Sequence, residues 1–300
     1  MRVGILGGGQ WGQALARLVI AAGNEPIIAY RDKKPPHVLP STKDQPSVAR
    51  ECDLLIAATS ASELRRAIRL AQPGPGNRIV VAGRGLEPSS GEWLCNVVSQ
   101  ECDALRLGAL AGPAPVAEIL NGGLCAGVVA SPYQEVRDLV TQALHSSRYR
   151  VYQSADLDGL QLSGAMVPVL ATLLGMATSL RGSGVGIHAL VLSRGMEECS
   201  RLAQAVGADP WTLVGLAGLG DLVAGQARKG QAMFDAGRAL AKGDRSKGPL
   251  PVARALIKLA ARYDVDVPLT AALVAIYEGL HPLDAVTALM SRDATTEHSG

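Results

Sequence analysis

Long runs of one charge are missing from this sequence. Lys and Arg number 29 against 27 Asp and Glu, a formal charge of +2, and the basic residues are spread along the chain. Aromatic residues make up only 3%, so no basic patch is interleaved with stacking rings, and no nucleic-acid partner is expected. The five cysteines, Cys52, Cys95, Cys102, Cys125 and Cys199, contain no CxxC pair. An odd, widely spaced set reads as reduced thiols used as small core hydrophobes, with no metal site implied. Low-complexity tracts are absent as well. The opening MRVGILGGGQWGQAL places one Arg before an apolar run, but glycines and a Gln interrupt that run. It reads as the start of a soluble cytoplasmic protein and not as a signal peptide.

One stretch lacks charge altogether: GLQLSGAMVPVLATLLGMATSL, from Gly159 to Leu180. Its length suffices for a bilayer. However, Gln161, Ser163, Pro168, Thr172, Thr178 and Ser179 dilute its apolarity, and the flanking Asp156, Asp158 and Arg181 show no useful asymmetry. A buried helix is expected, and no membrane span.

What is present is a globular composition, 48% apolar and 19% charged in 300 residues, more than one core usually organises. Short apolar runs at Arg2–Leu6, Pro26–Tyr30, Leu54–Ala58, Arg78–Ala82, Ala109–Ala111 and Ala126–Ala130 alternate with helical patterns. That succession predicts βαβ units and a doubly wound, mostly parallel α/β sheet over residues 1–150. Beyond about Arg150 the pattern turns to long helical periods (Leu190–Val206, Pro249–Tyr263, Thr270–Leu280) punctuated by GADP, DVDVP and HPLD. Residues 151–300 therefore read as an all-α domain, with a frayed polar end RDATTEHSG. The apolar faces of such a helical half are of the kind that form homodimers.

The strongest motif is VGILGGGQWGQALARL. Gly7, Gly9 and Gly12 fit G-x-G-x-x-G directly after a strand and at the opening of a helix, the context the motif requires. The first glycine permits the turn, the second admits a pyrophosphate, and the third lets helix pack on strand. Free N–H groups at the helix start, around Gln10 and Trp11, would face the phosphates. About twenty residues on, the second strand ends AYRDKK. Asp32 stands at or just past the position of the ribose-binding acid, while Arg31, Lys33 and Lys34 are cations suited to a 2′-phosphate, so NAD and NADP are both open.

Taken in order, GGGQWGQALA at Gly7, GRGLE at Gly83, GPAPVAEILNGG at Gly112, GLQLSGA at Gly159, LSRGMEECSRLAQAVGADP at Leu192 and GLAGLGDLV at Gly215 give the chain a resemblance to the bacterial NAD(P)-dependent glycerol-3-phosphate dehydrogenases. The resemblance spans essentially the full length. It implies a Rossmann domain followed by a helical domain with the active site in the cleft between them, a small-molecule substrate, and hydride exchange at C2 of dihydroxyacetone phosphate or glycerol 3-phosphate. It also implies a lysine as proton donor in a GGAxKN-like segment. Here that segment is SGAMVPV, with Val167 in place of the lysine and Pro168 in place of the asparagine. Valine can neither donate nor accept a proton.

Other matched positions are mixed. The lysine of the family's TKGLE is Arg84, which keeps the charge. The phosphate-binding SRN corresponds to ARK, so Arg228 is kept and Lys229 replaces the asparagine. A glutamate–glycine pair falls at Lys247 and Gly248, the NAR segment is shortened to GIH at Gly186, and Asp221 is retained. Asp221, Lys229 and His188 are thus the candidate catalytic groups, with Arg84 and Arg228 as candidate substrate-binding cations. Three functions are open: a dehydrogenase with an altered substrate or proton donor, a catalytically silent cofactor-binding or regulatory homologue, and a genuine glycerol-3-phosphate dehydrogenase. A β-hydroxyacid or 6-phosphogluconate-type dehydrogenase fits less well, because those relatives also place a lysine on the equivalent helix.

Overall fold

The computed structural model describes residues 1–32, 34–36, 38–180, 184–226 and 231–291. They fall into two compact units. One comprises Met1–Glu87 and Glu92–Gly164, and the other Pro88–Gly91 with the described residues from Ala165 onward.

The first unit is built on eight strands: β1 (Arg2–Leu6), β2 (Glu25–Ala29), β3 (Ser41–Thr42), β4 (Leu54–Ala57), β5 (Arg78–Val81), β6 (Arg106–Ala111), β7 (Cys125–Ala130) and β8 (Tyr149–Ser154). Their order is β3-β2-β1-β4-β5-β6-β7-β8. Every neighbouring pair is parallel except β6 with β7, where Ala109 faces Ala130 and Leu110 faces Val129. The helices α1 (Gln10–Ala21), α2 (Gln45–Glu51), α3 (Leu64–Ala71), α4 (Leu94–Glu101), α5 (Val116–Leu120) and α6 (Gln134–Leu144) connect them. Strand β4 (LLIA) is buried throughout and β1 is buried from Val3 to Leu6, as a parallel sheet covered on both faces requires. Leu15 and Val19 of α1 and Val136 and Val140 of α6 join Val3, Ile5, Leu54, Ile56 and Val80 in one core.

The expected α/β Rossmann architecture is therefore present, with three differences from the sequence reading. The strands β3 and β8 are additions, and β6 begins at Arg106, three residues earlier than expected. Strand β8 passes through residue 150, where the sequence pattern changes. It lies at the sheet edge and buries only Tyr149 and Val151 against exposed Arg150 and Tyr152. Two buried positions make no apolar run to read.

The second unit is helical. It takes the later part of α7 (Leu157–Ala177), then α8 (Val185–Ala205), α9 (Pro210–Val214), α10 (Asp221–Gln226), α11 (Ala232–Leu240), α12 (Leu250–Arg262), α13 (Pro268–Glu278) and α14 (Pro282–Met290). The prolines of GADP, DVDVP and HPLD each open a helix, where the missing N–H costs nothing. The polar end at residues 292–300 lies outside the described residues.

The uncharged stretch forms α7. Among the described residues it is the one helix long and apolar enough to cross a membrane, and it is buried from Gly159 to Ala177. A Cβ at Gly237 of α11 would come within 2.0 Å of the Thr172 carbonyl oxygen of α7, so the two helices touch backbone to backbone. Pro168 sits inside α7 and removes the N–H that would bond the Gly164 carbonyl.

Glu198 of α8, only 1% exposed, substitutes for the missing side-chain cap of α13. Its carboxylate accepts the Leu269 N–H at 2.7 Å, the Thr270 N–H at 3.1 Å and the Thr270 hydroxyl at 2.5 Å. Those bonds and the helix dipole favour the anion, yet burial outweighs them and holds the carboxyl above its ordinary value. A raised value means that the folded state keeps this proton longer than the unfolded chain does. The group's contribution to stability is therefore complete below the ordinary 4.5 and is lost as pH rises through the folded value. We expect the stability of the wild type relative to Glu198→Gln, measured by urea unfolding, to decline as pH rises from about 4.5 toward neutrality. A difference that is flat or rises with pH contradicts this.

Candidate functional site

A cleft of about 350 Å³ opens at the carboxyl ends of β1, β2 and β4. The chain leaves β1 toward one side of the sheet and β4 toward the other, and this is where open α/β sheets hold ligands. Its floor is the loop Gly7-Gly8-Gly9, its flanks are Tyr30, Arg31, Asp32 and Gln45, and its far wall is Thr59, Ser60, Glu63, Arg66, Ala67 and Leu70.

Each glycine of the motif has a separate spatial reason. Gly7 has φ +128°, and a Cβ there would lie 2.7 Å from the Ala58 carbonyl oxygen. A Cβ on Gly12 would lie 2.0 Å from the Gly7 carbonyl oxygen, so the first turn of α1 rests on the loop. A Cβ on Gly9 would meet nothing within 4 Å, so the backbone there faces open space. Gly9 is also the N-cap of α1, without a side-chain cap and without an acid in the first turn, and the N–H groups near Gln10 and Trp11 are left for an anion.

Two side chains hold this cradle. The Trp11 indole N–H donates to the Ala82 carbonyl at 2.8 Å, tying α1 to the end of β5, and the Gln13 amide donates to the Gly8 carbonyl at 3.0 Å. The Thr59 hydroxyl is buried without a partner and offers a further polar contact to a ligand in the cleft. These residues fit a dinucleotide, with the pyrophosphate at the glycines and the adenosine end toward Arg31, Glu63 and Arg66.

Arg31 is not a free cation. Its Nε donates to Asp32 at 2.5 Å and its Nη1 to Glu63, and both carboxylates hold the guanidinium above its ordinary pKa. Lys34 is exposed and does not line the cleft, and Lys33 lies outside the described residues.

Arg84 lies in the turn after β5 and is exposed. Its loop is fixed from behind, because Arg65 of α3 donates to Glu87 from Nε at 2.7 Å and from Nη2 at 3.0 Å, and to Glu101 at 2.7 Å. Such a bidentate pair fixes geometry as well as charge.

In the second unit, Asp221 opens α10 directly after a single π-helical stretch, Leu216–Gly220, a local widening that recurs at functional sites. His188 lies near the start of α8. Its Nε2 is 2.7 Å from the Gln226 amide nitrogen, and its Nδ1 is buried without a partner. With the amide donating, the imidazole is the neutral Nδ1–H tautomer. Asp221 and Gln226 stand at opposite ends of α10, about 7.5 Å of rise apart, so the hydrogen bond of His188 leads to the far end of that helix from Asp221. Arg228 and Lys229 lie outside the described residues. Val167 is 7% exposed.

The structure thus gathers Gly7, Gly9 and Arg31 at one cleft and sets Gln10, Trp11 and Gly12 on the helix that opens from it. The sequence reading missed Thr59, Glu63 and Arg66. For the last two a signal existed: Glu63, Arg66, Ala67 and Leu70 follow the i, i+3, i+4, i+7 spacing of one helix face. Among the described residues no group of three or more His, Cys, Asp or Glu is placed to hold a metal.

The chain matches the family model for the N-terminus of NAD-dependent glycerol-3-phosphate dehydrogenase over residues 29–137 and the model for its C-terminus over residues 156–288. It is 34% identical to a glycerol-3-phosphate dehydrogenase [NAD(P)+] of Symbiobacterium thermophilum, over 99% of this chain and 96% of that protein. It is also 34% identical to the protein of the same description from Halorhodospira halophila, over 98% of each. Among solved structures, glycerol-3-phosphate dehydrogenase from Coxiella burnetii superposes with a TM-score of 0.83 at 24% identity, covering 97% of this chain and 99% of that one. With both of its halves matched in order and relatives aligned from end to end, this chain belongs to the NAD-dependent glycerol-3-phosphate dehydrogenase family.

Proposed function

We propose that this chain is a dehydrogenase that interconverts CH–OH and C=O groups of a small substrate using NAD or NADP, with a substrate or proton donor different from those of its relatives. The observation that carries the second half is the apolar pair Val167–Pro168 on α7. Both side chains lack a titratable atom, and the SGAMVPV motif aligns them with a lysine and an asparagine. A nicotinamide dinucleotide supplies or accepts the hydride when bound. The chain's own residues must then hold the substrate and move one proton.

Gly7, Gly9, Gln10, Trp11 and Gly12 bind the dinucleotide, and Arg31 lies at its adenosine end. Arg84 and Arg228 grip an anionic substrate group. Asp221, His188 and Lys229 are the candidates for proton transfer and orientation. In this reading residues 1–150 serve the cofactor and residues 151–300 serve the substrate and a homodimer, in the cytoplasm.

The test is an NADH and NADPH titration, followed by a screen of aldehydes, ketones and ketoacids monitored at the NADH absorbance band. We expect turnover of roughly 1–1,000 per second on a substrate other than dihydroxyacetone phosphate. Comparable turnover of dihydroxyacetone phosphate would restore the family activity to this chain. Binding without turnover across the panel would make it the silent homologue, the reading that the same apolar pair favours next.

A further inference from the structure

The adenosine end of the cleft carries an arrangement that the glycine motif does not explain. Four ionised side chains line it among the described residues: Arg31 and Asp32 after β2, Glu63 just before α3, and Arg66 on α3. Arg31 alone joins the two walls, giving one ion pair to its neighbour Asp32 and another to Glu63, thirty-two positions along the chain. Arg66 makes no ion pair or hydrogen bond among the described residues.

Adenosine of NAD and NADP differs here by one group, a 2′-phosphate carrying about −1.5 to −2 charges near pH 7. Recognition of such a group normally uses a guanidinium fork that gives two parallel N–H bonds. Two of the donor nitrogens of Arg31 already face carboxylates. A two-bond grip on a phosphate from the Nε side competes with Asp32 and one from the Nη1 side competes with Glu63, and in either case the phosphate stands beside an anion. The charges of these four described groups sum to zero; Arg66 is the one guanidinium among them left without a carboxylate partner to meet a phosphate, and Arg31 cannot add its fork while both carboxylates hold it. A bare ribose hydroxyl pays neither penalty, and Asp32 and Glu63 keep lone pairs with which to accept from it.

We propose that Glu63 sets cofactor selectivity: by holding Arg31 together with Asp32 it withholds the guanidinium from a 2′-phosphate, so that the cleft takes NAD in preference to NADP. This rests on the dinucleotide reading of the cleft. Glu63 is a positioning residue, acting through Arg31. The side chain is 45% exposed and makes no capping bond to α3, so Glu63→Gln changes charge with little demand on the fold.

The experiment measures binding by calorimetry on the full chain with NADH and NADPH, and with the fragments AMP and 2′,5′-ADP, which differ only by the 2′-phosphate, at low and high salt. The wild type should bind NADH more tightly than NADPH, and AMP more tightly than 2′,5′-ADP. Glu63→Gln should raise the NADPH-to-NADH affinity ratio about fivefold, the size expected from releasing a partly exposed ion pair, and the fragment ratio in parallel. The gain should shrink at high salt and vanish when Arg31→Gln is added. A wild type that prefers NADPH, or a ratio unchanged by Glu63→Gln while NADH still binds, overturns this inference and leaves the dinucleotide reading standing. If the wild type binds none of the four ligands, the dinucleotide reading falls, and this inference with it.

Discussion

Replacing Gly12 by alanine should abolish dinucleotide binding and destabilise the first unit together. The new methyl would stand 2.0 Å from the Gly7 carbonyl oxygen, and both partners are backbone, so neither can move aside by changing rotamer. Relief requires shifting the start of α1 away from the loop, which costs about 2–4 kcal/mol and lowers the melting temperature by roughly 5–15 °C. The Trp11 bond to Ala82 is lost in the same shift. Gly9→Ala is the informative counterpart. Its methyl meets nothing within 4 Å and its φ of −69° suits any residue, so the melting temperature should barely change. The methyl nevertheless occupies the open space where a pyrophosphate would approach, and NADH affinity should drop by about tenfold or more. Thermal melts and NADH titration of both variants separate the two effects. Equal stability loss in the two would mean that the loop is shaped by something other than these contacts.

The second large effect is a gain. Val167→Lys with Pro168→Asn should raise reduction of dihydroxyacetone phosphate by NADH about a hundredfold or more, the contribution of a placed general acid. Two terms oppose each other in the fold. A lysine at a site 7% exposed must lose much of its hydration, which lowers its pKa toward the working range and costs stability. Asparagine in place of Pro168 returns the N–H that the Gly164 carbonyl lacks, recovering part of the roughly 3 kcal/mol that a proline costs inside a helix. Steady-state kinetics with a pH profile checks the outcome. A new limb from an amine titrating below its usual range supports the placement, while a well-folded double variant with no gain would show that the anion-holding residues have diverged as well.

Much of the glycine-floored cleft was legible in the sequence. The glycines follow a strand and precede a helix within ten residues, and backbone sterics over so short a span are set locally. The prolines of GADP, DVDVP and HPLD open helices for the same reason. Strand β8 escaped notice because an edge strand buries one face, and its short alternation resembles surface loop. The burial of α7 could be inferred from polar residues too numerous for lipid, although its division between two compact units could not.

Other features depended on meetings between distant segments. Nothing in AYRDKK announces that Arg31 will find Glu63, nor does the helical period of α8 reveal that Glu198 caps α13 seventy-one positions later. A side chain's type limits what it can bond, but which partner comes within 3 Å depends on the packing of whole elements. The sequence by itself determined the glycine turn between strand and helix, the alternation that builds the sheet, and the absence of a titratable group at Val167, since each follows from residue identity and local spacing. Only the tertiary structure decided that Arg31 is held by two carboxylates and that a buried glutamate closes a helix, because these are properties of neighbours far apart along the chain.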